Sequence, residues 1–447
     1  MGSYIPSTEK EQKEMLSAAG FDSMDSPKCI SLNRLQIPAS VRLNRLLDLP
    51  QGLSELEVRR KMNGIAAENT VFPTVFRGAG AYRHYIPAAV TRITSNETLL
   101  TAYTPYQAEI SQGILQSIFE YQTMICELTG MDVSNASVYD GANAAAEAAA
   151  MCRDRRRTTV YVSSAAHPDT IRTMRTYAFG ANTEIRLVPT ANRATDAAAL
   201  KEMLEEDNTA ACFYLQQPNY YGTIEDAQTL GEIAHAAGAK FIMGCNPIAL
   251  AVLKTPAECG ADIAVGEGQP LGMPLGFGGP YLGFMACKKP LMRRLPGRIV
   301  GETTDAAGNR AFVLTLQARE QHIRREKALS NICSNEALCA LTAAVYLSTM
   351  GPNGLKNAAE QCYSKAHYAA QKISAIKGFE LKNTSEFFHE FVTTCPNSEQ
   401  TLLKLEQHGI LGGLPLSDGE LLWCVTELNS KEEIDRLAEL LQEVQKT

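Results

Sequence analysis

Through the middle of the chain, short apolar runs alternate with amphipathic stretches. Thr159–Ser163, Glu184–Val188, Ala210–Leu215, Lys240–Cys245 and Asp262–Val265 have the length and apolar content of buried strands. Between them, Pro168–Phe179, Asp196–Glu206 and Asp226–Ala237 repeat at helical spacing. This alternation predicts right-handed βαβ crossovers and a mostly parallel sheet covered on both faces. Ligands of such sheets sit beyond the carboxyl ends of the strands. Ahead of this region, Ile114, Ile118, Phe119, Ile125 and Leu128 predict a helix, with Ser111 as its N-cap and Gly130 as its stop. Residues 1–65 read as polar and helical, with helices over Gln12–Ala19 and after Ser54-Glu55-Leu56-Glu57. In the last third, Leu355, Ala358, Cys362, Ala366, Ala369 and Ile373 trace one helix face. Phe388–Val392 and Leu421–Val425 read as strands, Lys431–Gln445 as an amphipathic helix, and Gly409–Pro415 as a flexible connection within reach of a ligand or partner. The division expected is an N-terminal helical arm (1–70) that packs against a partner, a large α/β domain (71–320) and a small C-terminal α+β domain (321–447).

Composition narrows the function classes. The 447 residues carry a net charge of −7, which argues against a nucleic-acid surface. No apolar run approaches the ~20 residues of a membrane helix, and the polar N-terminus lacks the apolar segment of a signal peptide. Pro6 stands where myristoylation after Met1-Gly2 favours a hydroxyl residue, so no lipid anchor is expected. The 12 cysteines are scattered singly, with no C-x-x-C pair, as in a reducing cytoplasm and without a metal site.

The stretch Asp262–Cys287 carries the strongest local signal. Two apolar runs, Ile263–Val265 and Tyr281–Ala286, bracket Gly266, Gly268, Gly272, Gly276, Gly278 and Gly279 with Pro270, Pro274 and Pro280. Such a segment is a structured loop that lets backbone approach another object closely. Five further segments carry polar groups, most of them at strand or helix ends. Tyr103-Thr-Pro-Tyr106-Gln107-Ala-Glu109 presents two phenols, an amide and a carboxylate from an extended base, since Pro105 disfavours helix at Thr104; a loop plugging an interface is the plainer alternative. Gly141 opens an Ala-rich helix whose free N–H groups suit a phosphate, although Asp140 just before it opposes an anion. His167-Pro168 and Cys245-Asn246-Pro247 follow strands. Arg319, His322, Arg324 and Arg325 form a basic segment, for an acidic partner or carboxylate, or a solvated face balanced by Glu320 and Glu326.

These motifs together resemble the P-protein (glycine decarboxylase) family of the glycine cleavage system, and within it the alpha subunit of the two-subunit form. The resemblance runs over nearly the whole chain. It implies the aspartate aminotransferase (type I) fold of pyridoxal-phosphate (PLP) enzymes, an α/β fold with a sheet of seven-stranded type. It also implies that glycine forms an imine with PLP, loses CO2 and passes an aminomethyl group to the lipoyl arm of a carrier (H) protein. Counted back from the end of the Gly-rich run, the Schiff-base lysine position falls on Gln269, and no lysine lies between Lys254 and Lys288. Asn246 stands where an aspartate holds the pyridine nitrogen, and an amide supplies neither imine nor fixed charge. Lys254 follows Asn246 too closely and Lys240 begins a strand at the wrong end. The resemblance therefore implies that a homologous lysine-bearing beta subunit holds PLP in a heterotetramer. This chain then supplies a wall made of Tyr103, Tyr106, Gln107 and Glu109. It keeps a vestigial site at Gly141, Asn143 (usually Thr in the family), His167, Asn246 and Gln269. A free-standing PLP-dependent lyase or transaminase, and a non-catalytic scaffold, are the alternatives.

Overall fold

In the computed structural model, the described residues are 7–24, 26, 38, 40–41, 43, 45, 47–100, 105–416 and 419–444. They fall into two compact units, divided between Thr70 and Val71. The first unit contains α1 (Glu9–Ala18) and α2 (Glu55–Ala67). Each begins with a reciprocal capping box. Thr8 Oγ1 accepts from Glu11 N while Glu11 Oε2 accepts from Thr8 N, and Ser54 and Glu57 repeat the pattern. Neither helix buries a residue.

The second unit is organised on a seven-stranded sheet. In chain order its strands are β2 (Val133–Ser134), β3 (Thr159–Ser163), β4 (Ile185–Val188), β5 (Ala210–Gln217), β6 (Lys240–Cys245), β7 (Ile263–Glu267) and β8 (Gly283–Cys287). Their spatial order is β2-β8-β7-β6-β5-β3-β4. The five strands β4, β3, β5, β6 and β7 are parallel; β8 pairs antiparallel with β7, and β2 pairs antiparallel with β8 and so runs with the five. This is the expected mostly parallel sheet. The β7 ladder continues through Gly266 and Glu267, so two residues expected in the loop belong to the strand.

Helices cover both faces, which is why the strands read as continuous apolar runs. On one face, α4 (Gly141–Cys152) lays Ala144, Ala145 and Ala148 against Val162, Tyr214, Ile242 and Val265. Its small side chains let the helix approach closely. On the other face, α3 (Gln112–Thr129), α7 (Ala227–Ala236) and the start of α8 (Ala337–Ser374) pack on Phe213, Phe241, Met243 and Phe284. Between α4 and α7 lie α5 (Pro168–Gly180) and α6 (Ala197–Glu205). Gly130 ends α3 in the left-handed conformation (φ 70°), as its position predicts.

The C-terminal part holds a three-stranded antiparallel sheet, β9 (Glu390–Thr394), β12 (Glu420–Cys424) and β11 (Leu414–Leu416), in that order. The far end of α8, together with α9 (Ser398–Gln407) and α10 (Lys431–Val444), closes a core around Trp423, Phe391 and Phe379. The flexible connection expected over Gly409–Pro415 is not there. Ile410–Leu411 form β10, paired in parallel with β1 (Thr74–Val75), and Leu414–Leu416 pair with β12. Buried Ile410 anchors the segment in the core, which the glycine content of the sequence conceals. Helix α8 contributes to both cores and is broken at Gly351 (φ 59°, ψ 180°) before Pro352.

Candidate functional site

A cavity of about 620 Å³ opens beyond the carboxyl ends of β3, β5 and β6. This is where a parallel sheet of this kind carries its ligand. His167 follows β3 and Asn246 follows β6, while Asp140 and Gly141 enter from the start of α4 and Glu267 from the end of β7. Tyr82, His389 and Glu390 close it from the small C-terminal sheet and the segment after β1.

Each vestigial-site candidate is bonded within the chain. Gln269 is 1% exposed. Its Oε1 accepts from Tyr82 N at 2.9 Å, and its Nε2 donates to Tyr82 O and Met273 O, both at 2.8 Å. The side chain therefore pairs with the Tyr82 backbone as a neighbouring strand would. Asn246 Oδ1 accepts from Ile248 N (2.9 Å) and Ala249 N (3.2 Å), starting the turn after β6. His167 caps α5, its Nδ1 accepting from Asp169 N at 3.1 Å while Nε2–H donates to Ala79 O at 2.9 Å. Gly80 is pressed on that ring; a Cβ there would lie 2.9 Å from Nε2.

Asp140 N-caps α4, accepting from Asn143 N and from Asn143 Nδ2 at 2.8 Å each, and Asn143 Oδ1 accepts from the Tyr177 hydroxyl. Asn143 is thus spent on its own helix start. Glu267 Oε2 accepts from Gly141 N (3.0 Å), and Oε1 from Gln269 N (3.0 Å) and Leu282 N (3.1 Å). Burial still outweighs these three amides and pushes its carboxyl up to about 7, with Asp140 adding repulsion. Glu390 behaves alike. It accepts from Ala79 N (2.6 Å) and the Tyr82 hydroxyl (2.8 Å), and burial raises it to about 7. His389 is pushed down to about 3 by burial, so it is a neutral ring. Among the described residues, no Lys or Arg lines the cavity, whereas Asp140, Asp169, Glu267, Glu336 and Glu390 do.

The wall candidates lie elsewhere. Tyr103 is outside the described residues. Tyr106 is half-buried beside the cluster of Ile114, Leu115 and Val300, with the Arg298 guanidinium 5.1 Å above its ring; burial raises its hydroxyl to about 12. Gln107 and Glu109 are exposed, and the Gln107 carbonyl turns the chain into α3 by accepting from Ser111 N. None of these three lines the cavity. In the basic segment, Arg319 is bonded to the Leu295 and Gly297 carbonyls and Glu320 pairs with Arg298; His322, Arg324 and Arg325 are exposed.

Sequence reasoning missed Tyr82, Glu390 and above all Glu267. A signal for Glu267 was present. It is the one charged residue between Asp262 and Lys288, two positions before Gln269.

Residues 2–441 match the model of the glycine cleavage system P-protein family. A probable glycine dehydrogenase (decarboxylating) subunit 1 from Desulfitobacterium hafniense is 48% identical, over 99% of each chain. A protein of the same description from Desulforamulus reducens is 49% identical, over 97% of this chain and 98% of its own. The crystal structure of a glycine decarboxylase (P-protein) of the glycine cleavage system, in inhibitor-bound form, is 39% identical and superposes with a TM-score of 0.91 over 99% of this chain and all of that one. A Burkholderia pseudomallei sphingosine-1-phosphate lyase (TM-score 0.66, 15% identity, 92% and 94% of the two chains) shares the fold alone, that of type I PLP-dependent enzymes. From its matched length and its relatives, the chain belongs to the glycine cleavage system P-protein family.

Proposed function

We propose that this chain is the lysine-less subunit of a cytoplasmic glycine decarboxylase. It pairs with a homologous lysine-bearing subunit. Together they convert glycine and a lipoylated carrier protein to the aminomethyl-dihydrolipoyl carrier and CO2. The carrying observation is Gln269, whose amide is locked to the Tyr82 backbone where the resemblance places the imine-forming lysine. The residues around the cavity do not fit PLP. Among the described residues no lysine lines it to form an imine, Asn246 offers no charge to a pyridinium, and carboxylates surround the proposed place of a phosphate. Lys240 is engaged with Asp262 and Lys254 with Gln228. In this reading PLP belongs to the partner, Tyr106 with Arg298 supports the partner's active-site wall, and the N-terminal unit packs on the partner.

Co-expression of this chain with its lysine-bearing partner, followed by borohydride reduction and peptide mapping, tests the reading. The expected result is glycine-dependent CO2 release only by the pair, with the reduced pyridoxyl adduct on a lysine of the partner. An adduct on this chain, or turnover by this chain alone, would refute it and favour the free-standing PLP enzyme.

A further inference from the structure

The three amides that meet at Glu267 come from three separate segments: Gly141 N from the first residue of α4, Gln269 N from beyond β7, and Leu282 N from just before β8. No single turn produces this convergence. The helix is 12 residues long, so its N-terminus presents the positive end of the peptide dipole together with donors that lack intrahelical partners. That is the construction of an anion site. The fit is close as well. A Cβ on Gly141 would lie 2.8 Å from Glu267 N, so only glycine lets strand end and helix start meet at this distance. Among the described residues no Lys or Arg lines the cavity, and Asp140 and Glu336 do.

We propose that Glu267 is the resident anion of this cradle: its carboxylate fills a site built for a phosphate-sized anion and thereby bars phosphate monoesters from the subunit. An incoming phosphate would find the Gly141, Gln269 and Leu282 amides taken by Glu267 and the Asn143 amide taken by Asp140. Above the value of about 7 for Glu267, it would also face those carboxylates as like charges at short range. This inference rests on the assignment of PLP to the partner, for which it supplies a physical cause within this chain.

The test uses inorganic phosphate as the probe, with the full chain and the variants Glu267→Ala and Glu267→Ser, read by calorimetric titration and by thermal shift in phosphate against chloride. The variants should bind phosphate about tenfold more tightly than the parent chain, or better, the scale set by an anion at a helix N-terminus freed of its internal competitor. Parent and variant chains binding phosphate equally well, or folded variants gaining nothing, would overturn the proposal. If neither variant folds, the unaltered chain decides by amide NMR. The Gly141, Gln269 and Leu282 N–H resonances should shift together with one midpoint near the value of about 7 for Glu267; three independent or flat profiles would overturn it. Neither measurement involves the partner or turnover, so its failure is distinguishable from failure of the two-subunit reading.

Discussion

At the scale of single residues, the side chains of the proposed vestigial site are bonded within the chain. In the proposed reading, a lysine placed at position 269 would not by itself make a coenzyme site. A lysine side chain can donate to Tyr82 O, but it cannot accept from Tyr82 N, which then lies buried without a partner. Gln269→Lys should cost about 1–3 kcal/mol by denaturant titration. With Glu267 still in its cradle, added PLP should give no borohydride-fixed adduct at position 269; a stoichiometric adduct there would contradict this account. Glu390 makes a pH prediction. Its carboxyl is raised from the ordinary value of 4.5 to about 7, and the residue is 2% exposed. A raised carboxyl contributes stability below its unfolded value, and that stability is lost as pH climbs through the folded value. Between pH 4.5 and 7 the loss is about 3 kcal/mol, since each unit is 1.36 kcal/mol. His389 opposes this in part of the same window, because burial holds it down to about 3. The informative quantity is therefore a difference. Relative to the parent chain, Glu390→Gln should gain stability steadily from pH 5 to pH 8, measured by unfolding at each pH. A pH-independent difference would show that Glu390 stays charged.

At the scale of elements, legibility followed how locally each element is determined. The strands of the central sheet, buried on both faces, announce themselves as apolar runs, and Gly130 marks the end of α3. The capping boxes at Thr8 and Ser54 are equally local. What stayed hidden depends on distant partners. β10 and β11 look like a glycine-rich linker because their pairing with β1 and β12 involves residues far away in the chain or on the opposite side of a hairpin. β7 runs on to Glu267 because β8 pairs with it from Glu267 to Ile263, a register that glycines do not advertise. For the proposed site, the resemblance pointed to Gly141, His167, Asn246 and Gln269, and the first three line the cavity. What each side chain bonds to was not readable, since Tyr82 lies 187 residues from Gln269 and Gly141 lies 126 from Glu267. The bond from Gly141 at the start of α4 to Glu267 depends on where β7 ends, which the sequence around Gly141 does not reveal.

At the scale of the whole molecule, the first unit raises a question that the fold of the second does not answer. Leu56, Val58, Met62 and Ile65 on α2 are each at least 44% exposed, and neither α1 nor α2 buries a residue. A 13-residue helix that buries no residue is marginal in water even when well capped. Capping by Ser54 and Glu57 fixes where α2 starts, not that it persists. Large apolar side chains held at the surface by a helix need a cover, and the proposed cover is the lysine-bearing subunit. The consequence is measurable by hydrogen exchange. In the chain alone, amides of residues 55–67 should exchange within about tenfold of unstructured rates, while those of β5 and β6 stay protected by global stability. On assembly with the partner, residues 55–67 should slow by about a hundredfold or more, because opening the helix would then require breaking a packed interface. Deleting residues 1–70 should leave the exchange of β5 and β6 unchanged and weaken association. Equal exchange of α2 before and after assembly would remove the arm from the interface.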